Sequence, residues 1–231
     1  MVERQPLDVL EAIHSTRSIR FLKPDPIPDE VIWAILDAAI RGPNGSNMQR
    51  WGWVVVTDPE KKKKLADFYR DGWNLANRVE KRSREERFAI ASTNQLGYQG
   101  YLGVEYLADH LEDAPVFIIP VTIGARPSLR SGSSIYGAVQ NLQLAARAFG
   151  IGTTFTSAHA IEDHAEETRE LLDLPENAVD MCLIPLGYPM TEEELAAVGA
   201  SPNQGRFGVP RRVPVEQVTH WDSWGDQKAR T

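Results

Sequence analysis

Thr16-Arg17-Ser18-Ile19-Arg20 and, further along, Gly42-Pro43-Asn44-Gly45-Ser46-Asn47-Met48-Gln49-Arg50-Trp51 are the two stretches from which this chain is best read. Arginine offers a planar fork of donors that matches the oxygens of a phosphate. Arg17 and Arg20 supply two such forks, and Ser18 adds a neutral donor between them. Asn47 and Gln49 each carry a donor and an acceptor, which suits the edge of a heterocycle that shows both. Pro43 can lie flat against such a ring. Two arginines at this spacing say little alone; the amide-rich turn that follows gives them a ligand to share.

The flanking sequence supplies the elements that carry these motifs. Leu7, Leu10 and Ile13 fall on one helical face just before the arginines, and Pro24, Pro26 and Pro28 force an extended connector after them. Asp29 is the expected cap of a second helix, whose apolar stripe is Ile32, Ile35, Leu36, Ala39 and Ile40, with Gly42-Pro43 as its stop. Trp51 to Thr57 reads as a buried strand. Residues 59 to 112 read as mostly helical, with a charged middle and an aromatic end that includes Tyr98, Tyr101 and Tyr106. Ala114 to Ile123 is the next strand, in which Pro120 predicts an edge or an irregularity.

Ile135, Val139, Leu142, Ala145, Ala146 and Phe149 give the clearest helix, with Gly150 as its terminator. Gly152 to Ser157 and Val179 to Leu186 read as strands, with a helix over Glu162 to Leu172 between them. The last forty residues are rich in Gly and Pro yet carry Phe207, Val209, Val213, Val215, Val218, Trp221 and Trp224. A tail of that composition is expected to lie along the body or across a partner subunit. Helices alternating with strands give an α+β fold, an α/β sandwich, as a single domain over 1–231.

The first two stretches resemble the FMN-dependent nitroreductase family, which carries an Arg-Arg-Ser-x-Arg-like motif followed by an Ala-Pro-Ser-x-x-Asn-x-Gln-Pro-Trp-like turn. Here Thr16 stands where the family has its leading arginine, Asn44 where serine is usual and Arg50 where proline is usual. The resemblance runs from about residue 8 to about residue 217 and is weakest around 70 to 110. It implies a nitroreductase-like fold: a central, mainly antiparallel sheet flanked by helices, a helical lid insertion at about 70–112 and an extended tail at about 200–231.

The resemblance also implies FMN as cofactor, held at the interface of a homodimer, with NADH or NADPH as electron donor. Arg17, Ser18, Arg20 and the tail pair Arg211 and Arg212 would meet the phosphate. Pro43, Asn44, Asn47 and Gln49 would meet the ring, and Phe155, Thr156 and Ser157 would bring backbone amides to its reactive edge. The implied activity is reduction of nitroaromatics, quinones or similar conjugated acceptors by a ping-pong mechanism. Reductive dehalogenation on the same fold, or flavin storage without turnover, are the alternatives, and a deazaflavin could occupy the same site. Trp73, Tyr98, Tyr101 and Tyr106 are candidates for a lid over the flavin.

Composition narrows the rest. Twenty-five basic against thirty-two acidic residues give a net charge of −7, a poor match for nucleic acid or an anionic membrane. Lys61 to Lys64 read as a solvated helix face. The lone Cys182, in an apolar run, reads as a buried structural thiol in a reducing compartment, and with no signal-like or membrane-spanning segment a cytoplasmic protein is expected. His159 and His164 lack metal-ligand spacing, so no metal is expected. No side chain is singled out as catalytic, because a flavin supplies the redox chemistry and the protein positions and tunes it.

Overall fold

The computed structural model describes residues 5–79, 83, 85–86, 89, 95–124, 132–161, 164–210 and 212–228. In chain order these form α1 (Val9–Ser15), α2 (Asp29–Ala39), β1 (Trp51–Val56), α3 (Pro59–Val79), α4 (Gln95–His110), β2 (Val116–Ile123) and α5 (Tyr136–Ala148). There follow β3 (Gly152–Thr153), α6 (His164–Leu171), β4 (Ala178–Asp180), β5 (Ile184–Gly187) and α7 (Glu192–Ala197). The sheet runs β1-β2-β5-β3, with β4 also on β2, and every pairing is antiparallel.

β2 explains the layering. It is buried on both faces, so its sequence is a continuous apolar run rather than an alternation. Phe117, Ile119 and Val121 join one core with Leu65 and Phe68 of α3 and Leu107 of α4. Val116 and Ile118 join another with Val31 and Ile35 of α2, Val139 and Leu142 of α5, and Ile184 and Leu186 of β5. The result is a helix–sheet–helix sandwich. Gly42 lets the end of α2 meet α5, since a Cβ there would stand 2.6 Å from the backbone of Ala138.

Several local expectations need correction. Pro120 does not make an edge: β2 is central, and Pro120 pairs with Trp53 of β1. The carbonyl of Pro120 accepts from Met181 N–H at 2.9 Å, and the N and C=O of one strand residue point the same way. Its missing donor therefore falls opposite residues 181–183, where β4 has ended and β5 has not begun. That break also splits the single strand expected over Val179 to Leu186. Asp29 is the first residue of α2 rather than its cap, which is Pro28. In α1 the buried residue is Ala12, while Leu10 and Ile13 are exposed.

Lys62 departs from the solvated lysine run. Its Nζ donates to the carbonyls of Ala114 (2.7 Å) and Glu112 (3.1 Å), and burial pulls it below its ordinary value against the upward pull of Asp113 and Glu112. The strand expected over Gly152 to Ser157 is regular only at 152–153 and continues as a single bridge from Thr156 to Leu183. The start of the helix expected over Glu162 to Leu172 lies outside the described residues, as does most of the charged stretch between α3 and α4.

Candidate functional site

The segment after α1 is stitched into the sheet edge. Ile19 N–H donates to Thr153 O (2.9 Å), Lys23 N–H to Tyr188 O (2.8 Å), and Met190 N–H to Phe21 O (3.0 Å). Ile19, Phe21 and Leu22 are buried by this arrangement. Arg17, Ser18 and Arg20 turn instead to a cavity of about 1300 Å³ that the tail also lines, with Arg206, Phe207 and Arg212. Residues almost two hundred positions apart thus line one cavity. Arg211 lies outside the described residues.

The electrostatics of this cavity are one-sided. Among the described residues no carboxylate pairs with Arg17 or Arg20. Burial pulls the Arg20 guanidinium below its ordinary value; Tyr69 pushes it back up, and Arg17 adds to the fall. A partly buried cation without a counter-charge is costly, and an anionic ligand removes that cost.

Arg20 also borders a second cavity of about 300 Å³, with Tyr69, Trp73 and the run Thr154 to Ser157. This run offers fewer donors than its sequence suggests. Thr156 is committed to the sheet, its N–H donating to Leu183 O (3.0 Å) and its carbonyl accepting from Leu183 N–H (2.7 Å). Successive N–H groups of an extended segment point to opposite sides. Phe155 and Ser157, both exposed, have N–H groups that find no acceptor among the described residues. They are the donors left for a ligand.

The polar turn stands apart from both cavities. Asn44 and Gln49 line a third cavity of about 280 Å³ with Arg50, Thr122 and Ser134. Pro43 and Asn47 are exposed beside it, Pro43 covering Gly137 at the start of α5. Asn44 is occupied with holding the turn, because its Oδ1 accepts from Gln49 N–H at 2.9 Å. Ser46, Asn47 and Gln49 all have positive φ (52°, 53° and 49°), a conformation that costs a non-glycine residue free energy.

The aromatic lid candidates separate. Trp73 borders the cavity beside Arg20 and donates from Nε1 to the buried Glu105 (3.1 Å); Tyr101 stands 6.2 Å from it, ring to ring. Tyr106 is stacked between Phe21 and His110, at 4.3 Å from each, and so belongs to the body of the fold. The side chain of Tyr98 lies outside what is described.

The family profile described as the nitroreductase family matches residues 13–188, which span the arginine motif and the amide turn between α2 and β1. The chain belongs to the nitroreductase family. An NADH dehydrogenase of Thermus thermophilus is 31% identical over 220 residues, which span 93% of this chain and 96% of that protein. An iodotyrosine deiodinase of Danio rerio is 24% identical over 187 residues, 78% of this chain and 59% of that protein. The solved structure of an FMN and NADPH-dependent nitroreductase from Sphigopyxis sp. strain HMH shares the fold with a TM-score of 0.67 at 18% identity, covering 94% of this chain and 100% of that one.

Within this nitroreductase-family chain, two residues beside Arg20 escaped the sequence reading. Tyr69 is a buried aromatic on α3, which helical packing explains by itself, whereas Gly103 inside α4 is the kind of helical glycine that signals a close neighbour, here Arg20. Arg206 was missed for a simpler reason: it stands alone in a polar loop, bonded to Asn203 and 3.8 Å from Glu192.

Proposed function

We propose that this chain is an FMN-dependent oxidoreductase that takes electrons from NADH or NADPH and passes them to nitroaromatics, quinones or similar conjugated acceptors by a ping-pong mechanism. The observation that carries this reading is the pair Arg17 and Arg20, one guanidinium half-buried and neither paired with a carboxylate among the described residues, on a cavity completed by Arg212. A dianionic phosphate is the ligand such a wall fits. The flavin would accept hydride and release it to the acceptor. Arg17, Ser18, Arg20 and Arg212 would hold its phosphate, and the N–H groups of Phe155 and Ser157 would favour the added negative charge on the ring.

The polar turn supports a homodimer. In one protomer it lines a cavity separate from the arginines, so Pro43, Asn44, Asn47 and Gln49 would reach the ring held by the partner. The apolar surface left open agrees: Leu10 and Ile13 of α1, and Val209, Val213, Val218 and Trp224 of the tail, are all exposed in the single chain. Light scattering of the FMN-loaded protein tests this directly, and a monomer that keeps its flavin refutes it.

The deiodinase relative favours reductive dehalogenation as the second reading. The two reactions separate in one assay. Flavin-loaded protein given NADPH with either a nitrobenzoate or 3-iodotyrosine should consume NADPH with the first and release no iodide from the second.

A further inference from the structure

The run that offers its N–H groups, Phe155 to Ser157, is tied at two points to one short stretch, Asp180 to Leu183. In its middle, Thr156 and Leu183 exchange both backbone bonds, at 3.0 Å and 2.7 Å. Just beyond its end, His159 Nε2 lies 3.0 Å from Oδ2 of Asp180, the last residue of β4. An ionised carboxylate only accepts, so Nε2–H is the donor. The stretch that receives both ties is itself held to the central strand. Asp180 pairs with Val121, and Met181 N–H donates to Pro120 O at 2.9 Å.

The second tie is the unusual one. His159 is fully buried and the Asp180 side chain is 9% exposed. Among the described residues the other ring nitrogen, Nδ1, has no partner, so Asp180 is the polar group that orients the ring. The ring in turn carries the turn Ala158–Ala160, which follows the donors directly. A buried polar pair is weak support for stability, since apolar residues of the same size often do as well or better. What this pair adds is direction. With Thr156 fixed on one side and His159 on the other, the backbone between them has one path, and the N–H groups of Phe155 and Ser157 keep one orientation.

We propose that His159 is a positioning residue: its bond to Asp180 aims the N–H groups of Phe155 and Ser157, and so sets how strongly the reduced cofactor is held relative to the oxidised one. This rests on the FMN reading above. Neither His159 nor Asp180 lines the cavity beside Arg20, so the pair acts through the backbone it holds.

Reductive potentiometry of the FMN-loaded full chain tests this, with the affinity for oxidised FMN taken from fluorescence quenching. His159→Leu removes the bond and fills the space. His159→Gln places an amide N–H near the position of Nε2 and keeps it. His159→Leu should bind oxidised FMN within about threefold of the parent. Relative to that, it should bind reduced FMN about tenfold more weakly, which lowers the midpoint of a two-electron couple by about 30 mV. His159→Gln should stay within about 10 mV of the parent, roughly a twofold change.

The double variant His159→Leu/Asp180→Leu separates direction from stability. It leaves no carboxylate alone in the interior, so it should melt above His159→Leu, and it replaces that protein in the test if the single variant does not fold. Its midpoint should stay as low. In ligand-free protein the heteronuclear NOE of the Phe155 and Ser157 amides should fall in the variants that lose the bond and match the parent in His159→Gln.

A midpoint in His159→Leu equal to the parent's would overturn the positioning role. So would a midpoint that recovers with the melting temperature in the double variant, or a His159→Gln midpoint as low as that of His159→Leu. A parent protein that takes up no FMN would defeat the functional reading, and the NOE would then decide. Unchanged values on loss of the bond would overturn the aiming of the two amides, and reduced values would uphold it.

Discussion

Asn44 Oδ1 accepts the N–H of Gln49 at 2.9 Å across a turn that holds Ser46, Asn47 and Gln49 all at positive φ. A residue that departs from the family's usual serine thus has a use: its longer amide reaches five residues on and closes the turn. That bond acts with the backbone bonds Asn47 N–H to Asn44 O (3.2 Å) and Met48 N–H to Gly45 O (3.1 Å) to hold the turn that carries Asn47 and Gln49.

Asn44→Ala should therefore cost about 1 kcal/mol of stability, the usual net value of one hydrogen bond. It should also weaken FMN binding several-fold through the loosened turn. Asn44→Asp keeps the acceptor and should recover most of the stability. Denaturant unfolding of the three proteins checks this; equal stability of the alanine and aspartate variants would remove the bond from the account.

Arg17 and Arg212 share the wall of the large cavity, and both should act on the phosphate rather than the ring. Replacing either by glutamine removes a charge-assisted bond worth about 1.5–3 kcal/mol, roughly a 10- to 150-fold loss in FMN affinity. Riboflavin, which lacks the phosphate, should bind the parent and both variants within about threefold. A parallel loss for riboflavin would place these arginines elsewhere.

Gly72 brings α3 against the turn that follows the donor strand, and a Cβ there would stand 1.9 Å from the carbonyl oxygen of Ala158. Backbone cannot yield as a flexible side chain does. Gly72→Ala should cost about 1–3 kcal/mol by overpacking, a fall in Tm of roughly 2–12 °C, and should weaken FMN binding because Phe155 to Ser157 adjoin the displaced turn. A melting temperature equal to the parent's would show that α3 packs less closely than described.

Cys182 is fully buried between β4 and β5, and burial, with the Asp180 carboxylate as a lesser cause, raises its thiol above the ordinary cysteine range. The thiolate is the reactive form, so a disulfide reagent at pH 8 should label the native protein no faster than it unfolds. One equivalent should react at once in denaturant. Rapid labelling of the native state would contradict this packing.

The parts legible in the sequence were those where residue type alone carries the chemistry. Arg17, Ser18, Arg20 and Arg212 could be grouped because few other residues suit a phosphate, and they line one cavity. The β2 run announced a doubly buried strand. Pro120 misled, because whether a missing N–H matters depends on what lies opposite, and here that is the gap between β4 and β5. Phe155 to Ser157 were found as a group, yet which of their amides remain available depends on the bridge from Thr156 to Leu183. Tyr69 was invisible for the reverse reason: a buried aromatic on a helix is explained by packing alone, which hides that it borders the same cavity as Arg20. Leu7, Leu10 and Ile13 were placed on one helical face, and what covers that face was not legible: Leu10 and Ile13 stay open in one chain, where a partner could cover them.

The most direct test of the central claim is an anaerobic absorbance titration of the purified protein loaded with FMN, first with NADH and then with NADPH. The flavin bands should bleach within seconds and return when a nitroaromatic or quinone is added. A protein that stays colourless after incubation with FMN, or flavin bands that neither nicotinamide bleaches, would contradict it.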